Sequence, residues 1–441
     1  MPRPLWWSNE PKVRAVSLAI FAAFIGLAVL GMPLAFALGA AALGVLMAGN
    51  IDLNMLPQRM MHSVNAFPLM AIPFFMIAGE LMIRGGLAER LIELANAFVG
   101  RIAGGLAQVT ILAGAGMAAV SGAAVADASA LASVLTRQLA RVYGIGFSAA
   151  VISAAALLGP IIPPSNAMIV YAYMAGSGVS VAALFMAGVV PGLILTAGMM
   201  LLTRWIAQKR NYPLAGEPVT LKRMARELVR SWSILLMPVV VIGGIVAGAF
   251  TATEGGAIAV VYALLIGLFV TRRLKLSDIP ACLLHAAIIT AVVGALIAFA
   301  SAVTFLLTID LLPIKLTRLM RDITSDPLMF NLLVALILFV VGMFLESNAA
   351  YIMLVPLFHP LAVSYGLDPL HFSFLFVFNL VLGSLTPPVG IILFVVCGVA
   401  RVSMGEIMRH LWPYIAFGYA LLFALMLFPP LVTALPRALG Y

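Results

Sequence analysis

Two proline pairs are the residues of greatest chemical consequence in this chain. They are Pro163-Pro164, in the run Leu158-Gly159-Pro160-Ile161-Ile162-Pro163-Pro164-Ser165-Asn166, and Pro387-Pro388, in Leu382-Gly383-Ser384-Leu385-Thr386-Pro387-Pro388-Val389-Gly390. A proline inside a helix removes an N–H donor, and its ring clashes with the carbonyl four residues back. The pairs therefore leave the carbonyls of Gly159 and Pro160, and of Gly383 and Ser384, without helical partners. Free carbonyl oxygens are good ligands for a hard cation such as Na⁺, and the N-terminus of the resuming half-helix attracts an anion. One such pair alone reads equally well as a packing kink; two at matching positions favour a site.

Two further centres place oxygen atoms at a turn: Ser121-Gly122 and Glu346-Ser347-Asn348. Glycine permits a sharp turn, and Ser and Asn supply ligand oxygen. Ser121-Gly122 by itself also reads as a helix-packing contact, since Ala118, Ala119, Ala123 and Ala124 surround it. Asp127 and Glu346 lie in apolar sequence. A carboxylate at membrane depth costs about 2.5–3.5 kcal/mol on insertion scales, so it has a partner or a function. Cation coordination supplies both; for Asp127 the alternatives are a helix cap or a pair with Arg137 or Arg141. The five histidines show no metal spacing, and His359 and His371, flanking a loop, read as interfacial. Cys282 and Cys397 are far apart in apolar runs and read as core residues.

The elements that must position these residues are membrane helices. The chain has 441 residues, 64% hydrophobic and 9% charged, with a mean hydropathy of +1.15. Soluble domains carry roughly 25% charged residues, so lipid is the solvent. The net charge of +9 comes from Lys and Arg grouped between apolar runs, as membrane topology requires, and not from a basic groove for nucleic acid. The first 14 residues lack a small-residue cleavage signal and read as retained. No Walker A motif is present, and no acid, base or metal cluster points to an enzyme.

The apolar runs divide the chain into two halves around a polar linker at 207–230, with the same order of segments in each. The first half, 1–206, contains a hairpin at about 104–141 and a broken helix at about 147–175; the second, 231–441, contains a hairpin at about 328–364 and a broken helix at about 371–400. Amphipathic stretches precede both hairpins, at Gly86–Arg101 and Leu311–Ile323. The run from Gly116 to Ala124 shares five of nine positions with Gly342 to Ala350, and Leu158 to Pro164 shares four of seven with Leu382 to Pro388. Five spans and one re-entrant hairpin per half invert the second half relative to the first, a hallmark of secondary transporters. The distribution of Lys and Arg favours a cytoplasmic linker with both termini outside, although the basic N-terminal stretch opposes that placement.

Together these signatures resemble the large membrane subunit of tripartite ATP-independent periplasmic transporters, the DctM-like family. The resemblance rests on Ile72-Pro73-Phe74-Phe75-Met76-Ile77-Ala78-Gly79-Glu80-Leu81-Met82, on Ser121 to Asp127, on Gly159 to Ser165 and on Gly383 to Pro388, and spans essentially the whole chain. It implies an all-α polytopic protein of the bacterial inner membrane with an elevator-type ion-transporter fold. Na⁺ is the implied coupling ion, and the implied substrate is a small organic acid such as a C4-dicarboxylate or a sialic acid. The implied partners are a periplasmic solute-binding protein and a small four-helix membrane subunit, expected as a separate chain.

Carried over by position, one Na⁺ site uses Ser121, Gly122, Gly159 and Pro160, with Asp127; a second uses Glu346, Ser347, Asn348, Gly383 and Thr386. Substrate is expected between hairpin tips and breaks, near Pro164, Ser165, Asn166 and Pro388. Val389-Gly390 stands where the first half has Ser165-Asn166, so polar substrate contacts are expected to be asymmetric. A stand-alone Na⁺/carboxylate symporter of the same wider fold is the other reading.

Overall fold

The computed structural model describes residues 16–49, 51–214 and 219–441. The N-terminal stretch read as retained lies outside the described residues, as does part of the central linker. Among the described residues the regular structure is entirely helical. Eight stretches among the described residues are long and apolar enough to cross a bilayer: Phe67–Arg84, Val181–Lys209, Leu221–Val246, Ala252–Val270, Leu276–Ile309, Pro327–Phe344, Ser347–Ser364 and Met404–Leu427.

The chain begins with α1 (Val16–Val29), α2 (Leu34–Ala48) and α3 (Met55–Val64), then α4 (Ala71–Arg84). Gly86, at φ +84°, turns the chain into the short amphipathic α5 (Leu87–Val99). Next come α6 (Gly105–Ser121) and α7 (Ala124–Tyr143), separated only by Gly122 and Ala123. Two short helices, α8 (Ile145–Ala156) and α9 (Asn166–Ala175), flank the first proline pair, and the long α10 (Val181–Lys209) follows.

The second half runs through α11 (Leu221–Val246), α12 (Ala252–Leu265) and α13 (Ile279–Ile309) to the amphipathic α14 (Leu312–Ile323). It continues with α15 (Pro327–Phe344) and α16 (Ser347–Ser364), then α17 (Pro369–Gly383) and α18 (Ile391–Ala400) around the second proline pair. It ends with α19 (Met404–Leu427) and α20 (Pro430–Ala438). Both proline–proline peptides are cis.

Packing sorts these helices into two layers. In one, α4 lies against α12 and α13, and α13 lies against α2; α5 bridges the layers, packed on α6 as well as on α11. Ion pairs Arg273–Glu89 (3.5 Å) and Arg230–Glu93 (3.3 Å) fix α5 to the second half of the chain. Asp310, buried at the start of α14, accepts from the backbone N–H and hydroxyl of Ser17 on α1 and from Lys315 Nζ at 2.7 Å. In the other layer α8 packs on α6, α7 and α19, while α17 packs on α15, α16 and α10. The short helices beyond each break cross over: α9 packs on α16 and α18 on α7.

Close backbone approach is what permits these crossings. A Cβ on Gly383 would stand 2.7 Å from Gly342 Cα and 2.9 Å from its carbonyl carbon, so α15 and α17 touch main chain to main chain. Backbone cannot step aside as a side chain can, and overpacking of this kind costs about 1–3 kcal/mol. Gly383→Ala is therefore expected to lower thermal stability in detergent, followed by intrinsic fluorescence. Gly294→Ala, where a Cβ meets nothing within 4 Å, is expected to leave it unchanged or slightly raised.

Candidate functional site

The first cluster forms where the α6–α7 turn meets the break between α8 and α9. Gly122 caps α6 at φ +60°, and a Cβ there would lie 2.5 Å from the Pro164 carbonyl oxygen, so only glycine fits. The Asn166 N–H donates to the Gly122 carbonyl at 3.3 Å, which staples the turn to the break. Ser121 Oγ donates to Asp127 Oδ1 at 2.6 Å and accepts from the Ala123 N–H at 3.3 Å. Asp127 is fully buried, and its Oδ2 has no hydrogen-bond partner. That oxygen stands 2.7 Å from where a Cβ on Gly159 would be, so the bare glycine makes room for the carboxylate.

Two expectations for these residues are corrected. Asp127 neither caps α7, whose N-cap is Ala123, nor pairs with Arg137 or Arg141. Both arginines are exposed while Asp127 is sealed inside, which separates them physically. The Pro160 carbonyl is not free: Ser165 Oγ donates to it at 2.6 Å. Ser165 also caps α9 by accepting from the Met168 N–H at 3.3 Å, so its hydroxyl is fully engaged in shaping the break. Asn166 is the more available side chain. Its Nδ2 reaches only the Met76 sulfur at 3.6 Å, and its Oδ1 is buried without a partner.

The second cluster is built differently. Glu346 caps α16, accepting from the Ala349 N–H at 3.0 Å and from Asn348 Nδ2 at 2.9 Å. Glu346, Ser347 and Asn348 are half-buried. The Val389 N–H donates to the Met343 carbonyl at 3.2 Å, joining this turn to the second break. Gly383 lies against Gly342, and the Thr386 hydroxyl donates back to Leu382 O at 3.2 Å. Pro388 and Val389 are exposed, whereas Pro164, Ser165 and Asn166 are buried. Each cluster thus gathers its own residues around one turn and one break.

Residues outside the expected set complete the picture. Met76 and Gly79 on α4 touch Asn166 and Ser121. The signal was in the sequence, since both stand in the apolar motif Ile72–Met82, but no spacing rule pointed from it to Ser121. His359 and His371 are buried, not interfacial. Each has a partner that makes burial tolerable: Tyr171 OH for His359 Nδ1 (3.1 Å) and the Leu425 carbonyl for His371 Nε2 (2.9 Å). The Tyr171–His359 contact joins α9 to α16, one from each half of the chain.

Comparison with known proteins places this arrangement. Residues 21–431 match the family described as "Tripartite ATP-independent periplasmic transporter, DctM component". A C4-dicarboxylate TRAP transporter large permease protein from Pseudomonas aeruginosa is 36% identical over 400 residues, covering 90% of this chain and 93% of that protein. A sialic acid TRAP transporter large permease protein from Vibrio cholerae is 33% identical over 421 residues, covering 95% and 98%. The crystal structure of the Alcanivorax borkumensis YdaH transporter superposes with a TM-score of 0.62 at 17% identity, covering 92% of this chain and 97% of that one, and shares the fold.

The Ser121–Asp127 bond is the one polar tie on an otherwise sealed carboxylate. Removing a partner from a buried group costs about 1–3 kcal/mol. A double-mutant cycle of Ser121→Ala and Asp127→Ala, read by thermal or denaturant unfolding in detergent, is expected to give a coupling energy in that range. Additive effects would show that the two side chains do not interact.

Proposed function

The chain belongs to the DctM family of tripartite ATP-independent periplasmic transporters, as a multi-pass inner-membrane permease, and from that premise we propose that it couples Na⁺ entry to uptake of a small organic acid. The observation that carries the reading is the sealed first cluster. A fully buried carboxylate oxygen, Asp127 Oδ2, lacks a protein partner beside a broken helix. Buried oxygens left without donors suit a desolvated hard cation, which they bind in place of its hydration water.

In this reading Na⁺ is cargo held by Ser121, Gly122, Asp127 and Gly159. The Pro160 carbonyl contributes through the lone pair that Ser165 leaves open. A second Na⁺ is held near Glu346, Ser347, Asn348, Gly383 and Thr386. The organic acid sits between the two, facing Pro164, Asn166 and Pro388, with Ser165 shaping the break rather than touching the substrate. Half-helix N-termini at Asn166 and Ile391 direct partial positive charge toward its carboxylate. Relatives named for a C4-dicarboxylate and for a sialic acid support the carboxylate class.

The same reading takes residues 1–206 and 231–441 as inverted repeats joined by the linker at 207–230. The crossed packing of α9 on α16 and of α18 on α7 supports it. The layer holding both clusters is the mobile unit of an elevator, and α5 and α14 are its arms. A periplasmic binding protein delivers the substrate, and a small four-helix membrane subunit packs on the other layer.

Reconstitution tests this directly. Proteoliposomes holding this chain and its small subunit are expected to accumulate a candidate carboxylate only with an inward Na⁺ gradient and the binding protein. Uptake with Na⁺ alone would identify a stand-alone symporter, and uptake indifferent to Na⁺ would refute the cation sites. Ser121→Ala and Asn348→Ala are each expected to raise the Na⁺ concentration for half-maximal uptake several-fold while eluting as the wild-type protein does, with Ser121→Ala also carrying the stability cost of about 1–3 kcal/mol given above.

A further inference from the structure

Two contacts join α4 to the first cluster, and a third joins α3 to the far end of α9. Gly79 on α4 faces Ser121: a Cβ built on it would stand 3.3 Å from Ser121 Cα and 3.8 Å from Ser121 Cβ. Three residues earlier, one helical turn along the same face, Met76 Sδ accepts from Asn166 Nδ2 at 3.6 Å. Tyr173 OH, two turns beyond Asn166 on α9, donates to the Ser63 carbonyl at the end of α3 at 2.5 Å. Gly79 and Ser63 are buried. The helix pair thus covers the turn and α9 from one side. Pro388 and Val389, at the matching break of the second cluster, are exposed.

We propose that Met76 and Gly79 form a seal over the first cluster, which closes one side of the cargo site in this conformation and must part during the transport cycle. This rests on the elevator reading above, in which the layer containing Ser121 and Asn166 moves past the layer containing α4. Glycine at position 79 sets the seal's height. With no side chain there, the α4 backbone comes close against Ser121 at the α6–α7 turn. A bulkier residue would prop the layers apart or jam them. Met76 adds a weak, flexible acceptor that holds the Asn166 amide while the site is shut and releases it at little cost. Both are positioning residues, since neither is argued to touch the cargo.

The seal is testable by cross-linking, because the Cβ positions at 79 and 121 are within thiol reach of each other. Cβ atoms in native disulfides lie about 3.5–4.5 Å apart, and 3.8 Å separates the positions at 79 and 121. In a background with Cys282→Ala and Cys397→Ala, the pair Gly79→Cys and Ser121→Cys is expected to cross-link under mild oxidation, detected by mass spectrometry of the purified protein. Because Ser121 is placed among the Na⁺-holding residues and Gly79 in the seal, the reduced double variant serves as its own baseline: the uptake it retains in proteoliposomes is expected to fall at least ten-fold on oxidation and to recover on reduction, and each single variant is expected to change with neither treatment. Failure to cross-link both by oxidation and with a short bifunctional thiol reagent would show that the layers do not meet there; cross-linking with undiminished uptake would show that the contact need not open.

Should Ser121→Cys itself prove inactive, Gly79→Leu supplies the second measurement. It is expected to retain the elution profile and to lose uptake at least ten-fold, and wild-type uptake by this variant would overturn the seal. Cross-linking is read without cargo or Na⁺, so it separates failure of the seal from failure of the coupling reading.

Discussion

Backbone polar groups in a bilayer have no water to fall back on, and every one left open costs several kcal/mol. The two helix breaks put that constraint at its sharpest, because each exposes main chain in the middle of an apolar layer. The structure meets it locally. At the first break the Ser165 hydroxyl takes the Pro160 carbonyl, and the Asn166 N–H reaches Gly122 across the gap. At the second, Val389 N–H reaches Met343 and Ile392 N–H reaches the Ser384 carbonyl. A break is thus held by a neighbouring turn, and the turn is held by the break. Hairpin and broken helix are one structural unit in each half, and this mutual dependence brings their polar residues together.

Small residues follow from the same constraint. For a turn to donate and accept across a break, the two backbones must approach to hydrogen-bond distance, which a Cβ would prevent at Gly122, Gly159 and Gly383. Glycine is entropically costly in a helix. Here its cost is offset by main-chain hydrogen bonds that no other residue would allow. Gly159 shows the tie between packing and chemistry most directly, since the space left by its missing side chain is occupied by the Asp127 carboxylate.

Much of this was legible in the sequence, and for physical reasons. Apolar run lengths report helices because hydrocarbon thickness is fixed, and α7, α16 and the short helices around the proline pairs fall close to the expected segments. Proline pairs report breaks because the missing N–H is a local property. What the sequence did not carry was partner choice. Asp127 had two cationic candidates within fifteen residues, yet it bonds to Ser121, because Arg137 and Arg141 lie about 15 and 21 Å further along α7 and are exposed. His359 and His371 looked interfacial by position, yet Tyr171 and the Leu425 carbonyl, distant in sequence, make their burial tolerable. Likewise, nothing in the spacing of Met76 and Gly79 announced that they meet Asn166 and Ser121.

The two clusters are also unequal, and that inequality bears on mechanism. The first is closed: its carboxylate is sealed, its break is buried, and α4 lies across it. In the second, the Glu346 carboxylate is already engaged by Asn348 and the Ala349 N–H, and Pro388 and Val389 stand open. A carboxylate whose partners are already in place gains less from a cation than one with an oxygen left over, because only the latter recovers its full desolvation cost on binding. On the proposed Na⁺ coupling, the first cluster would therefore hold its ion more tightly, and the more open second cluster would exchange its ion more readily. On the same proposal, tandem sites of unequal strength would order the loading of cargo, the sealed one organising its turn and break and the open one responding to what arrives. The asymmetry begins in single residues, Ser165-Asn166 in one half and Val389-Gly390 in the other, and packing against α4 extends it to the whole site.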